Sequence, residues 1–155
     1  MPHIHEKIDF TAEVFVVHGN RVLLRKHDKY KIWMSVGGHI ELDEDPNETA
    51  LREVKEEVGL EIKLADGLLI VAQNTSEFKD LIPPKFLNRH KISDTHEHIT
   101  MVYFATTDSD NVIPGGEDLS TEWKWFTKEE LSAALYDLTG KVKLYAERAL
   151  DELGK

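Results

Sequence analysis

The stretch DEDPNETALREVKEEVGL, residues 43–60, fixes both ends of a helix before anything else in the chain is read. Asp45 as N-cap, Pro46 at the first helical position and Glu48 three residues after the cap together form a helix start. Gly59 supplies the left-handed stop. The spacing therefore predicts a helix over 46–58, with Leu51, Val54 and Val58 as its buried stripe because they recur at three- and four-residue steps. Glu53, Glu56 and Glu57 then share a neighbouring sector, where like charges weaken a helix by roughly 0.3 kcal/mol per pair. Such a trio is either a solvated acidic face or a cluster of hard oxygen ligands for Mg²⁺ or Mn²⁺. Helical spacing alone does not choose between them.

Around this helix the pattern is mixed. FTAEVFVVHGNRVLLRKH reads as a hairpin turning at His-Gly-Asn. KYKIWMSVGGHIE is extended and interrupted by two glycines, and EIKLADGLLIVAQN, HITMVYFATT and EWKWF read as further strands. Thr127 to Glu130 is a capping box that opens a helix through EELSAALYDL, and KVKLYAERALDEL follows with apolar residues at helical spacing. Irregular alternation of strands and helices favours an α+β fold, a mixed sheet sandwiched between helices, over a doubly wound parallel sheet. Residues 74–96 fit no element, and a connection of that length with two prolines is expected to be a functional loop or lid. With 155 residues and no repeat or linker, a single domain over 1–155 is expected.

Composition narrows the partners. A formal net charge of -10, from 29 acidic against 19 basic residues, argues against long nucleic acid, whose binding rests on Lys and Arg neutralising phosphates. It is compatible with a small phosphorylated ligand carried by cations on carboxylates. The absence of cysteine removes disulfides, Cys-ligated metals and thiol chemistry. The amino-terminal MPHIHEKIDF lacks the apolar core of a signal peptide and the apolar runs are short, so no membrane association and a cytoplasmic location are expected.

The context of the glutamates is more specific than their spacing. GHIELDEDPNETALREVKEEVGL, Gly38 to Leu60, resembles the Nudix box: Gly, five residues, Glu, seven residues, Arg-Glu, an aliphatic residue, any residue, Glu-Glu, any residue, Gly, an aliphatic residue. Gly38, Glu44, Arg52, Glu53, Val54, Glu56, Glu57, Gly59 and Leu60 satisfy every fixed position. The preceding MSVGG departs from the proline that many members carry before the glycine pair. The resemblance implies the Nudix fold and divalent-metal-dependent hydrolysis of a phosphoanhydride in a nucleoside diphosphate-linked substrate, such as a nucleoside triphosphate or nucleotide sugar. Carried over by position, Glu53 and Glu57 are the principal metal ligands, Glu56 shares a metal or its water, and the Gly38 carbonyl completes the shell. Arg52 orients the carboxylates, Glu44 bonds to that network, and Glu53 is the first choice as general base. Glu122 in STEWKWF resembles a late family glutamate that contacts metal or water, with Glu97 a weaker candidate. A non-catalytic nucleotide-sensing module is the alternative. An isomerase acting on an isoprenoid diphosphate ranks low because such members rely on a cysteine.

For substrate binding the candidates are His39, directly after Gly38, Trp33 before the glycine pair, and Arg89 in the basic part of the 74–96 loop. Core packing is the competing reading for Trp33, and a structural role for His39. The paired histidines of HIH at 3–5 and HEH at 96–98 are read as surface residues, since no third metal ligand is evident. Nothing in the sequence selects one substrate, and monomer and homodimer are both open.

Overall fold

The computed structural model describes residues 4–66, 75–116, 120, 122–133, 136, 138 and 140–155. Its centre is an eight-stranded mixed sheet: β1 (Ile8–His18), β2 (Arg21–Lys26), β3 (Trp33–Met34), β4 (Val36–His39), β5 (Lys63–Leu64), β6 (Phe86–Lys91), β7 (Glu97–Thr106) and β8 (Glu122–Phe126). Among the described residues three helices accompany it: α1 (Pro46–Val58), α2 (Lys128–Leu131) and α3 (Gly140–Leu153). The expected α+β sandwich is the fold observed.

β1 organises the sheet. One edge runs parallel to β7 along ten residue pairs, from Ile8↔Glu97 to Val17↔Thr106. The other edge is divided, with β4 antiparallel on Thr11–Val14 and β2 antiparallel on Val17–His18. Side chains alternate along β1. Ala12, Val14 and Val16 join Ala50, Val54 and Val58 of α1 in one core, whereas Phe15 and Val17 join Tyr145, Ala146 and Ala149 of α3 in another. Helices cover both faces, which explains why this strand reads as nearly continuous hydrophobic sequence. The same alternation places Asp9, Thr11 and Glu13 on the α3 face, at the end of the strand where apolar packing gives way to polar side chains. Thr100 and His98, the β7 partners of Thr11 and Asp9, continue that polar row.

Several expectations need correction. Leu51 is 45% exposed, and the buried residues of α1 are Thr49, Ala50, Glu53, Val54, Glu57 and Val58. The helix is rotated about its axis relative to the expected stripe, so two glutamates face inward. Within 74–96, residues 86–91 form β6, antiparallel to β7 from Phe86↔Val102 to Lys91↔Glu97. The upstream part of that segment is tied to α1: the Asn47 side-chain amide donates to the Ile82 carbonyl at 2.9 Å, and its oxygen accepts from the Ile82 amide at 2.8 Å. The strand expected over EIKLADGLLIVAQN is described only at Lys63–Leu64, and residues 67–74 lie outside the described residues. The helix opened by Thr127 is described over four residues, with its capping box formed, and part of the remaining EELSAALYDL segment lies outside the described residues.

Candidate active site

Helix α1 begins and ends where its sequence signals stand. The Asp45 side chain accepts from the Glu48 amide at 2.9 Å, and Gly59 takes a left-handed conformation with φ 70°. Residues 113–115 cap the other end, the Ile113 and Gly115 amides donating to the Val58 and Glu57 carbonyls at 2.9 and 3.0 Å. Those carbonyls belong to the last turn, which has no partners within the helix. Both ends are thus held, and the rotation of α1 is set by Ala50, Val54 and Val58 packed against the sheet.

That rotation brings Glu53 (3% exposed) and Glu57 (5% exposed) against the strands. Glu53 meets Gly38 of β4. A Cβ at Gly38 would stand 2.2 Å from Glu53 Oε1 and 2.5 Å from its Cδ, so the carboxyl group fills the space where a side chain would be. Glu57 forms a buried ion pair with Arg25 of β2. Two carboxylates this deeply placed need cationic partners, because an isolated buried charge is strongly disfavoured. Glu56 lies at the rim, more than half exposed.

Arg52 joins the cluster together. Its Nε and Nη2 donate to Glu44 at 3.0 and 2.6 Å, Nη1 donates to Glu53 at 2.9 Å and to Glu56 at 3.3 Å, and Nη2 also reaches the His39 carbonyl at 3.2 Å. Hydrogen bonding to Glu44 is the main cause holding this guanidinium firmly protonated. Burial works to raise the Glu44 carboxyl, but bonds from Arg52, the Glu41 backbone and Thr49 outweigh it and leave its pKa lowered. Glu44 is therefore an anionic brace for Arg52. Gly38, Glu44, Arg52, Glu53 and Glu56 meet here as the sequence pattern suggests, with Glu57 on the same inner face of α1. Arg25 was missed, because at the end of RVLLRK it reads as an ordinary polar strand terminus.

On the α3 face of the same strands lies a cleft of about 350 Å³, whose lining includes Glu13, Ser35, Gly38, His39, His98 and Thr100. Gly38 is the junction: it borders the cleft and abuts Glu53. Ser35 donates to Glu13 at 2.8 Å, yet burial dominates and raises the Glu13 pKa. His39 is 5% exposed and its Nε2 lies 3.3 Å from both Asp9 Oδ2 and His98 Nε2. Burial, reinforced by neighbouring His39, His90 and His96, pushes His98 down to about 4. His96 is 5% exposed, so the surface reading of the HEH histidines is overturned: period-two alternation turns both rings inward. His5 is exposed and His3 lies outside the described residues.

The other candidates sit elsewhere. Glu122 begins β8, exposed and 3.4 Å from Lys26, and among the described residues no ion pair or hydrogen bond of its side chain reaches α1. Arg89 on β6 makes a two-point pair with Glu97 at 2.8 and 3.0 Å, exposed to solvent. Glu97 is thus committed to an ion pair. Trp33 packs edge-on against Phe126 at 5.1 Å and Tyr136 at 6.3 Å, in the core beside α3. Its core reading is the one its contacts favour.

A mixed sheet between helices, with a carboxylate-bearing helix laid against a glycine strand, defines a Nudix-type architecture. A NUDIX domain model matches residues 8–147, and the chain belongs to the Nudix hydrolase family. It is similar to a crystal structure of a NUDIX-family hydrolase from Clostridium perfringens, with TM-score 0.80 and 35% identity, covering 93% of this chain and 97% of the other. Among curated proteins it is 38% identical over 84 residues to a dihydroneopterin triphosphate diphosphatase from Haemophilus influenzae, 54% of this chain and 52% of the relative. The protein of the same name from Escherichia coli K12 is 38% identical over 73 residues, 46% of this chain and 49% of the relative. The matched region spans about half the length of these curated relatives. No helix among the described residues is long and apolar enough to cross a membrane.

Proposed function

We propose that this protein hydrolyses a phosphoanhydride bond in a small nucleotide-type triphosphate or diphosphate, using divalent cations held by α1. The observation that carries the reading is the inward placement of Glu53 and Glu57, with the Glu53 carboxyl seated in the space left by the missing side chain of Gly38. Glu53 and Glu57 already have Arg52 and Arg25 beside them, and together they set further carboxylate oxygens side by side on one helix face, an all-oxygen donor set that suits Mg²⁺ or Mn²⁺. The donor set fits such ions: Glu53, Glu57 and the Gly38 carbonyl, with Glu56 at the rim. When bound, the ion supplies charge neutralisation to the phosphates and acidity to a bound water.

The chain's own residues do the remainder. Arg52, braced by Glu44, holds Glu53 by Oε1 and leaves Oε2 to accept a proton from the attacking water. The water oxygen bonds to phosphorus as the bridging P–O bond breaks, and the leaving phosphate keeps that electron pair. Gly38 borders the cleft and abuts Glu53, so the phosphate end of a ligand in the cleft meets the strand against which that carboxylate lies. The cleft has room for a heterocycle, with Glu13 and Ser35 as polar contacts. Two relatives are named for dihydroneopterin triphosphate, which places a pterin triphosphate first among the substrates to try.

The test is a hydrolysis panel with Mg²⁺, covering nucleoside triphosphates, a pterin triphosphate, nucleotide sugars and dinucleoside polyphosphates, with every phosphorus-containing product identified. Metal-dependent release of phosphate, pyrophosphate or a nucleotide supports the proposal, and the product shows which phosphorus is attacked. Tight binding of a panel member without turnover of any would instead favour a nucleotide sensor.

A further inference from the structure

The polar row on the α3 face contains a constellation that the hydrolase reading does not use. Asp9 on β1, His39 at the end of β4 and His98 on β7 each offer one ligand atom, and these three atoms lie within 4.8 Å of one another. Backbone register builds the group, since Asp9 is the parallel partner of His98 and Thr11, two residues along the same face, pairs with His39. Asp9 is held in place by backbone amides, His5 donating to Oδ1 at 2.6 Å and Ile4 to Oδ2 at 3.3 Å. His96 backs the carboxylate, its Nδ1 3.2 Å from the Glu6 carbonyl and its Nε2 3.3 Å from Asp9 Oδ2. The group is therefore supported from behind, while His39 and His98 face the cleft.

We propose that Asp9, His39 and His98 form a second metal site, selective for a zinc-class ion over Mg²⁺, with its open coordination position toward the cleft. Three features support it. Two imidazoles and one carboxylate are a borderline donor set, suited to zinc and poor for Mg²⁺, which prefers oxygen throughout. The distances also match: ligands about 2.0–2.1 Å from a tetrahedral zinc stand about 3.3 Å apart, against about 3.0 Å for adjacent ligands on an octahedral ion. Two edges of the triangle, His39 Nε2 to Asp9 Oδ2 and His39 Nε2 to His98 Nε2, are both 3.3 Å. The three ligand atoms lie within 4.8 Å of one another, so the third edge needs to close by no more than about 1.5 Å to reach the tetrahedral value, and His98 is the least buried member of the three. Finally, three protein ligands with an open fourth position are the arrangement of zinc sites that meet a ligand or water. A phosphate oxygen or ring nitrogen of a molecule in the cleft has the chemistry to fill that position.

The side chains of this site are not those of the carboxylate cluster on α1, although Arg52 bonds to the His39 carbonyl, and the experiment separates the two. Full-length protein stripped with chelator is dialysed against micromolar Zn²⁺ in millimolar Mg²⁺, and bound zinc is measured by elemental analysis, with visible absorption of the Co²⁺ form reporting coordination. Stoichiometric zinc is expected in wild type and in Glu57→Gln, with a tetrahedral Co²⁺ spectrum. In His98→Gln, at the least buried of the three positions and with circular dichroism confirming its fold, affinity should fall by about tenfold or more. Asp9→Asn should behave likewise, with circular dichroism confirming its fold. Failure of wild type to retain zinc against Mg²⁺ overturns the proposal. Equal affinity in His98→Gln overturns it too, as does zinc lost in Glu57→Gln but kept in His98→Gln, which would put the ion on α1.

Discussion

Replacing Arg25 by Met isolates the role of the buried Arg25–Glu57 pair. Both side chains are shut off from solvent, at 8% and 5% exposure, so water screens little of the charge left behind. Removing one partner of such a pair costs about 3–5 kcal/mol, since the other charge stays buried without compensation. For a domain of this size each kcal/mol moves the melting temperature by about 2–4 °C, which predicts a fall of about 6–20 °C. The assay is thermal unfolding followed by circular dichroism in chelator and again in excess Mg²⁺. If Glu57 is a metal ligand, the cation replaces the lost guanidinium, so Mg²⁺ should raise the melting temperature of Arg25→Met more than that of wild type. The double variant Arg25→Met/Glu57→Gln, with neither charge, should regain most of the loss. A single variant melting within about 2 °C of wild type, or a double variant no better than the single, would refute the reasoning.

Two further perturbations probe neighbouring positions. In Gly38→Ala the new methyl, 2.2 Å from Glu53 Oε1, must displace the carboxyl group. Turnover should fall by about 100-fold, the scale for ångström misplacement in an active site, whereas unchanged kinetics would separate Glu53 from the chemistry. Glu13→Gln tests the raised carboxyl in the cleft, where burial favours the protonated form in the folded protein. Its stabilising contribution is complete below the unfolded value of about 4.3 and is lost as pH rises through the higher folded value. Melting curves should show Glu13→Gln more stable than wild type near neutral pH, with the advantage shrinking toward about pH 4; no advantage near neutrality contradicts the burial argument.

What the sequence made legible follows the range of the forces involved. The ends of α1 were readable to the residue because Asp45, Pro46 and Gly59 act locally, through caps and backbone preference. The rotation of the helix was not. Leu51 carries a better apolar signal than Ala50, but packing against β1 and β4 chose Ala50, and only with that choice do Glu53 and Glu57 turn inward. Strand β6 was hidden because FLNRHK is a largely exposed segment whose pairing with β7 is a tertiary event. The Asp9, His39 and His98 group depends on the β1–β7 register, joining residues 89 positions apart, and no local pattern announces it. The HEH spacing carried the usable hint: two histidines on one face of a strand.

The most direct test of the central claim, that carboxylates turned inward from α1 hold the ions that enable hydrolysis, is the Mg²⁺ dependence of turnover in Glu57→Gln. Measured on a substrate identified by the panel, with the fold checked by circular dichroism, the variant keeps the shape of the side chain and removes its charge. The account predicts that a folded Glu57→Gln loses turnover by about 100-fold or more and needs more Mg²⁺ for what remains. A folded variant with wild-type turnover and wild-type Mg²⁺ dependence would contradict it.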